Sequence, residues 1–133
     1  MTEGQVIEKA PQAEINPVRT RADWEAMRAA ALADPGAFHG DIAARRIHWF
    51  VASAGPAGAW LSRDDAGAWT GWDAATGAPV APALPAGFAP WTRAFDDSNP
   101  PHWRWFTGGR TNAAFNEIDR HVLAGHGDEA ALI

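Results

Sequence analysis

The chain has 133 residues, a formal net charge of −5 and a pI near 5.4, which leaves room for one domain and no basic footprint for nucleic acid or an anionic membrane. Apolar residues make up 47% of it, but alanine dominates them. Leu, Ile, Val and Phe total only 22, about 17%, under the ~20% below which cores become hard to build. With no cysteine, a disulfide framework, a thiolate zinc site and a catalytic thiol are all excluded.

Eight tryptophans offset the shortage of aliphatics, because each can bury ~150–250 Å². The expected fold is therefore α+β with a thin core of indoles and alanines. No apolar run approaches ~18 residues, and the N-terminus carries acids and no apolar signal region. A cytoplasmic protein is expected.

Residues 1–16 read as a flexible polar arm, and 17–133 as the domain. Thr20 followed by Asp23 is a capping-box pair opening a first helix. Its apolar stripe is Trp24, Met27, Ala31 and Leu32, at helical spacing. Asp34-Pro35 ends that helix and opens a second, as N-cap and first-turn proline. Phe38 and Ile42 are its expected buried face, with Arg45 and Arg46 complementing the dipole at its end. Ile47, Trp49 and Val51 alternate as a short strand.

From about 55 to 90, glycine and proline accumulate. Within this stretch GAWLSR (58–63) and GAWTGW (67–72) are near-copies, read as the arms of a β-hairpin, and a turn at 74–77 adds a third strand. Residues 79–90 are expected as an extended connector, and 95–101 as a turn-rich loop. Trp103, Trp105 and Thr107 alternate before Gly108-Gly109. Asn112 is the expected N-cap of a last helix with Phe115, Ile118 and Val122 on its apolar face and Gly125 at its end. Ala130 to Ile133 reads as the start of a buried strand, the first of a larger domain.

Few constellations point to chemistry. His121 and His126 are five apart with a glycine between them, which is not the spacing of a helical zinc pair. TGGRT (107–111) lacks the Lys-Ser/Thr of a phosphate loop. Asp64-Asp65 and Asp96-Asp97 are expected to bond turn backbones. Ser53, Ser62 and Ser98 have no evident base partner. Trp60, Trp69 and Trp72 could stack on a sugar-like ligand, or glue the hairpin to the body; the second reading is preferred.

Read as a series, WEAMRAAALADPGAFHGDIAARRIHWF (24–50), FDDSNPP (95–101), WRWFTGGRTN (103–112) and NEIDRHVLAGHGD (116–128) resemble the N-terminal segment of the acetyl-CoA synthetase group of acyl-CoA synthetases. The roughly 40-residue stretch before the Asp-rich loop resembles the propionyl-CoA synthase branch of that group, in which ligase, hydratase and reductase parts are fused. The resemblance implies a small helix-rich piece with a hairpin insert that docks on a large adenylate-forming domain. It implies no catalytic, cofactor or metal residue in this segment, and a structural seam made by Trp103, Trp105, Asn112, Asn116, Asp119 and Arg120. For the whole enzyme it implies ATP, Mg²⁺, CoA and NADPH, and conversion of 3-hydroxypropionate to propionyl-CoA. The implied partner is the remainder of the same polypeptide, with no nucleic acid or membrane; a homo-oligomer stays open. Two alternatives are an acetyl-CoA synthetase-type ligase without the hydratase and reductase parts, and a small ligand-binding module built on the Trp hairpin.

Overall fold

The computed structural model describes Val18 and residues 20–130; the arm at 1–16 and the strand expected at the C-terminal end, of which only Ala130 is described, lie outside them. The chain divides into two compact units, Met1–Asp34 and Pro35–Ile133. It is a small α+β protein with antiparallel sheets. Among the described residues no helix is long and apolar enough to cross a membrane.

The first unit contains helix α1, Arg21–Ala33, opened by the expected capping box. The Thr20 hydroxyl accepts from the Asp23 amide at 3.1 Å, and the Thr20 amide donates to the Asp23 carboxylate at 2.8 Å. Its stripe, however, is not buried. No residue of α1 is buried, and Trp24 and Leu32 are 52% and 65% exposed. Periodicity creates an apolar face but does not supply a surface to cover it. Trp24 instead lies under the Arg28 guanidinium, 5.9 Å from the ring centre. Trp24→Ala is thus expected to cost under about 1 kcal/mol in urea unfolding, rather than the ~3–5 kcal/mol of a core indole. A core-sized loss would contradict this placement.

The second unit begins with helix α2, Pro35–Arg46, whose buried residues are Gly40, Ala43 and Ala44. The expected face was wrong: Phe38 is half-buried and Ile42 is 40% exposed. Small residues win the inner face because they allow close approach. A Cβ on Gly40 would stand 3.2 Å from the Ala94 Cβ, on a strand packed against α2.

Four strands follow as a meander, β1 (Trp49–Val51), β2 (Ala59–Arg63), β3 (Trp69–Asp73) and β4 (Pro79–Val80), in that spatial order and all antiparallel. The expected hairpin is therefore the centre of a four-stranded sheet, and the connector at 79–90 begins with a strand. Alternation gives the sheet two apolar faces. Val51, Ala59 and Leu61 form one core, with Trp69, Val80, Leu84 and Phe88 packed on it. On that face the Trp49 indole N–H donates to the Ala43 carbonyl of α2 at 3.0 Å. The opposite face presents His48, Phe50, Trp60 and Trp72. Two of the expected aspartates bond turn backbones: Asp64 accepts from the Ala68 amide at 2.8 Å and Asp96 from the Ser98 amide at 3.2 Å. Asp73, not singled out in the sequence, does the same with the amides of Ala75 and Thr76 at 3.0 and 2.8 Å.

A second sheet pairs β5 (Arg93–Asp96) with β6 (Arg104–Thr107). Phe95 and Asp96 therefore belong to a strand, not to the loop expected at 95–101. Phe95 sits opposite Trp105, with ring centres 4.5 Å apart. The last helix spans 113–126, and two of its stretches, Phe115–Asp119 and Val122–His126, are π-helical. Gly125 breaks its path with φ 93°. Of the expected stripe only Phe115 is buried; Ile118 and Val122 are 60% and 56% exposed.

Candidate docking seam

Phe115 anchors the last helix to the second face of the sheet. Its ring stacks on Trp60 at 4.7 Å and 18°, with His48 and Trp72 at 5.8 and 6.2 Å. Trp69 packs edge-on to Phe88 at 5.3 Å. The three hairpin tryptophans are thus engaged with neighbouring rings, which favours the gluing role over a ligand platform.

Three of the six expected seam residues work inside the unit. Asn112 caps the helix, its side-chain oxygen accepting from the Phe115 amide at 3.1 Å. Asn116 lies against the backbone of His48, accepting from its N–H at 2.7 Å and donating to its carbonyl at 3.0 Å. It thereby imitates the edge of a strand beside β1. Arg120 donates to the Arg46 carbonyl at the end of α2, at 2.8 Å. Nearby the chain pairs directly with β1: Phe50 N–H donates to the Arg110 carbonyl at 2.8 Å, and Trp49 bridges Thr111.

Asn116→Ala would leave the His48 N–H without its acceptor. A loss of about 1–3 kcal/mol is expected in urea unfolding. The Asp variant keeps an acceptor for that N–H and should lose less. No measurable loss in the Ala variant would contradict the assignment.

The other three residues face outward. Trp103 and Trp105 are 59% and 44% exposed. Asp119 is exposed and makes no ion pair among the described residues. Trp105 is braced by Phe95 and, edge-on, by the His39 ring at 5.1 Å. Behind it the motif W-F-x-G-G is held by geometry. Phe106 carries a left-handed backbone, φ 50°, uncommon for a bulky residue, and its ring packs against Trp49 and Trp91 at 5.3 and 5.0 Å. A Cβ on Gly109 would fall 2.8 Å from the Trp49 ring, so the second glycine admits that indole.

Beside Trp105 opens a cavity of about 310 Å³, lined by Ile42, Ile47, Phe106, His39 and Arg46 among others. Neither Ile42 nor Arg46 stood out in the sequence as a site residue; an isoleucine on an expected core face and an arginine at a helix end already have ordinary explanations.

His48 and Asp96 are among the titrating groups shaped by their surroundings. Burial, then the charges of Arg120 and His121, lowers the pKa of His48 from 6.5 to about 4. Its Nε2 lies 3.1 Å from the Ser62 hydroxyl, while Nδ1 is buried without a partner among the described residues. The folded state thus holds a neutral imidazole. Unfolding releases a group that takes up a proton below about pH 6.5, so stability present above that pH is lost as pH falls toward 4. About 2–3 kcal/mol is expected to vanish between pH 7.5 and 4.5, and His48→Gln should flatten that slope. An unchanged slope would contradict it. Hydrogen bonds from the Ser98 hydroxyl and amide, then Arg104, hold Asp96 below the ordinary carboxylate range.

Among the described residues, His, Asp and Glu nowhere gather as three potential metal ligands. His126 instead pairs with Glu129 at 2.7 Å.

Comparison with known proteins now bears on these residues. Residues 87–116 match the sequence profile of the family described as "Acetyl-coenzyme A synthetase N-terminus". This stretch carries β5, β6, Trp103, Trp105, Asn112 and Asn116. An acetyl-coenzyme A synthetase of Paraburkholderia phymatum is 48% identical over 44 residues, covering 33% of this chain and 7% of that protein. One of Streptomyces avermitilis is 54% identical over 41 residues, 31% of this chain and 6% of its own length. The chain thus contains an acyl-CoA synthetase-like N-terminal segment and matches only a small fraction of these relatives.

Proposed function

We propose that this chain is the N-terminal docking part of an AMP-forming acyl-CoA ligase of the acetyl-CoA synthetase type, with no catalytic residue of its own. The observation that carries this reading is the coincidence of two properties in one stretch. Residues 87–116 resemble the acetyl-CoA synthetase N-terminus, and the same residues hold Trp103 and Trp105 in the open. Large aromatic side chains left exposed on a braced strand, as Trp105 is, and just before it, as Trp103 is, suit an interface. Trp103, Trp105 and Asp119 are the contacts offered to an adenylate-forming domain, while Asn112, Asn116 and Arg120 shape the unit that presents them.

In such a ligase, ATP and Mg²⁺ activate the acid and CoA accepts the acyl group. The polypeptide carrying this chain should release AMP and form a CoA thioester, dependent on acetate or a related short acid; residues 1–133 alone should do neither. Turnover by the isolated chain, or no acid-dependent AMP from the longer polypeptide, would overturn the reading.

The trifunctional propionyl-CoA synthase is the second reading. Its support is the resemblance of the stretch at about 55–90. The reported relatives, acetyl-CoA synthetases, favour the simpler ligase. NADPH oxidation dependent on 3-hydroxypropionate, ATP and CoA would select the fusion enzyme.

A further inference from the structure

The cavity beside Trp105 has a chemistry that narrows what can occupy it. At about 310 Å³ it lies at the small end of ligand cavities and suits one large apolar side chain. Ile42, Ile47, Trp105 and Phe106 supply apolar walls, and Ile42 and Trp105 are themselves 40% and 44% exposed. The polar members are His39 and Arg46, and among the described residues no carboxylate lines it.

Arg46 differs from its neighbours Arg45 and Arg63. Arg45 and Arg63 are both paired with Asp41. The Arg46 carbonyl accepts from Arg120, yet its guanidinium has no acid partner among the described residues. An exposed arginine that lines an apolar socket and makes no ion pair among the described residues is complementary to a carboxylate placed next to an apolar side chain. Aromatic and arginine side chains in this arrangement are the usual anchors of an interface.

We infer that this socket receives a peptide segment in which a leucine-like side chain enters between Ile42 and Trp105 and an adjacent Asp or Glu pairs with Arg46. The inference rests on the docking reading above and specifies the partner's chemistry at one point of the seam. It gives the seam a polarity as well as an apolar anchor, since a basic residue in the partner's acidic position would be repelled.

The test uses the 133-residue chain and three blocked dipeptides, Ac-Leu-Glu-NH₂, Ac-Leu-Lys-NH₂ and Ac-Gly-Glu-NH₂, followed by the NMR shift of the Trp105 indole N–H. The Leu-Glu probe should give a saturable shift with a Kd about threefold or more below that of Leu-Lys, the scale of an exposed ion pair. The Gly-Glu probe should give none. Arg46→Gln, which leaves the backbone carbonyl in place, should equalise the Leu-Glu and Leu-Lys probes, and added salt should do the same. A missing Leu-Glu response, equal Kd values in the unaltered chain, or an equal Gly-Glu response would overturn the inference. The ligase reading is judged separately by AMP release from the longer polypeptide, so failure of one is distinguishable from failure of the other.

Discussion

Gly71→Ala should abolish cooperative folding of the second unit, or cost about 3 kcal/mol or more where folding survives. The cause is backbone, not conformational preference. Gly71 lies opposite Leu61 in the β2–β3 ladder. A Cβ there would stand 1.9 Å from the Trp60 carbonyl oxygen and 3.1 Å from the Leu61 Cα. No rotamer change relieves a clash with main-chain atoms, so the two strands must part. That would break the central pairing of the sheet and disturb both faces at once, because β3 carries Trp69 toward the first core and Trp72 toward the second. Gly67→Ala is the matched control. Gly67 has φ 88° but open space around its would-be Cβ, so only the left-handed conformation is penalised, at about 1 kcal/mol. Thermal and urea unfolding of the two variants should separate widely; similar losses would contradict the packing of β2 on β3.

Phe115→Ala is expected to cost about 3–5 kcal/mol, the range for emptying a buried aromatic site. Phe115 is 6% exposed and is the one residue of the expected helix stripe that reaches the sheet. Its loss leaves a gap between Trp60, Trp72 and His48, and removes the only buried side chain of the last helix among the described residues. The hydrogen bonds of Asn116 and Arg120 would then hold that helix without an apolar anchor. Urea unfolding gives the magnitude, and the Trp60 environment should shift in the fluorescence spectrum. Ile118→Ala, on the exposed side, should cost under about 1 kcal/mol. Equal losses would contradict the orientation of the helix.

What the sequence made legible was local chemistry. Thr20 with Asp23, the Asn112 cap, the break at Gly125 and the turns at Asp64 and Asp96 depend on groups within a few residues of one another, and the near-copied GAW arms pair as neighbours in the meander. What stayed hidden depends on distant partners. Strand β5 is only Arg-Ala-Phe-Asp, too short for alternation, and exists because Trp105 pairs with Phe95. The inner face of α2 is Gly40, Ala43 and Ala44, which hydrophobic periodicity ranks below Phe38 and Ile42. The residues of the proposed seam show the same division. Asn112, Asn116 and Arg120 stand at fixed spacing in the motif, but two of them bind backbone groups 68 and 74 residues away, which no local pattern announces. The outward setting of Trp103 and Trp105 needed the β5–β6 pairing to be seen.

Hydroxyl-radical footprinting of tryptophan addresses the docking role itself. In the isolated chain Trp103 and Trp105 should be oxidised readily, and Trp49, 3% exposed, should be protected. In the longer ligase polypeptide proposed above, Trp103 and Trp105 should become protected by several-fold while Trp49 stays as it was. Equal oxidation of Trp103 and Trp105 in both would contradict a docking seam.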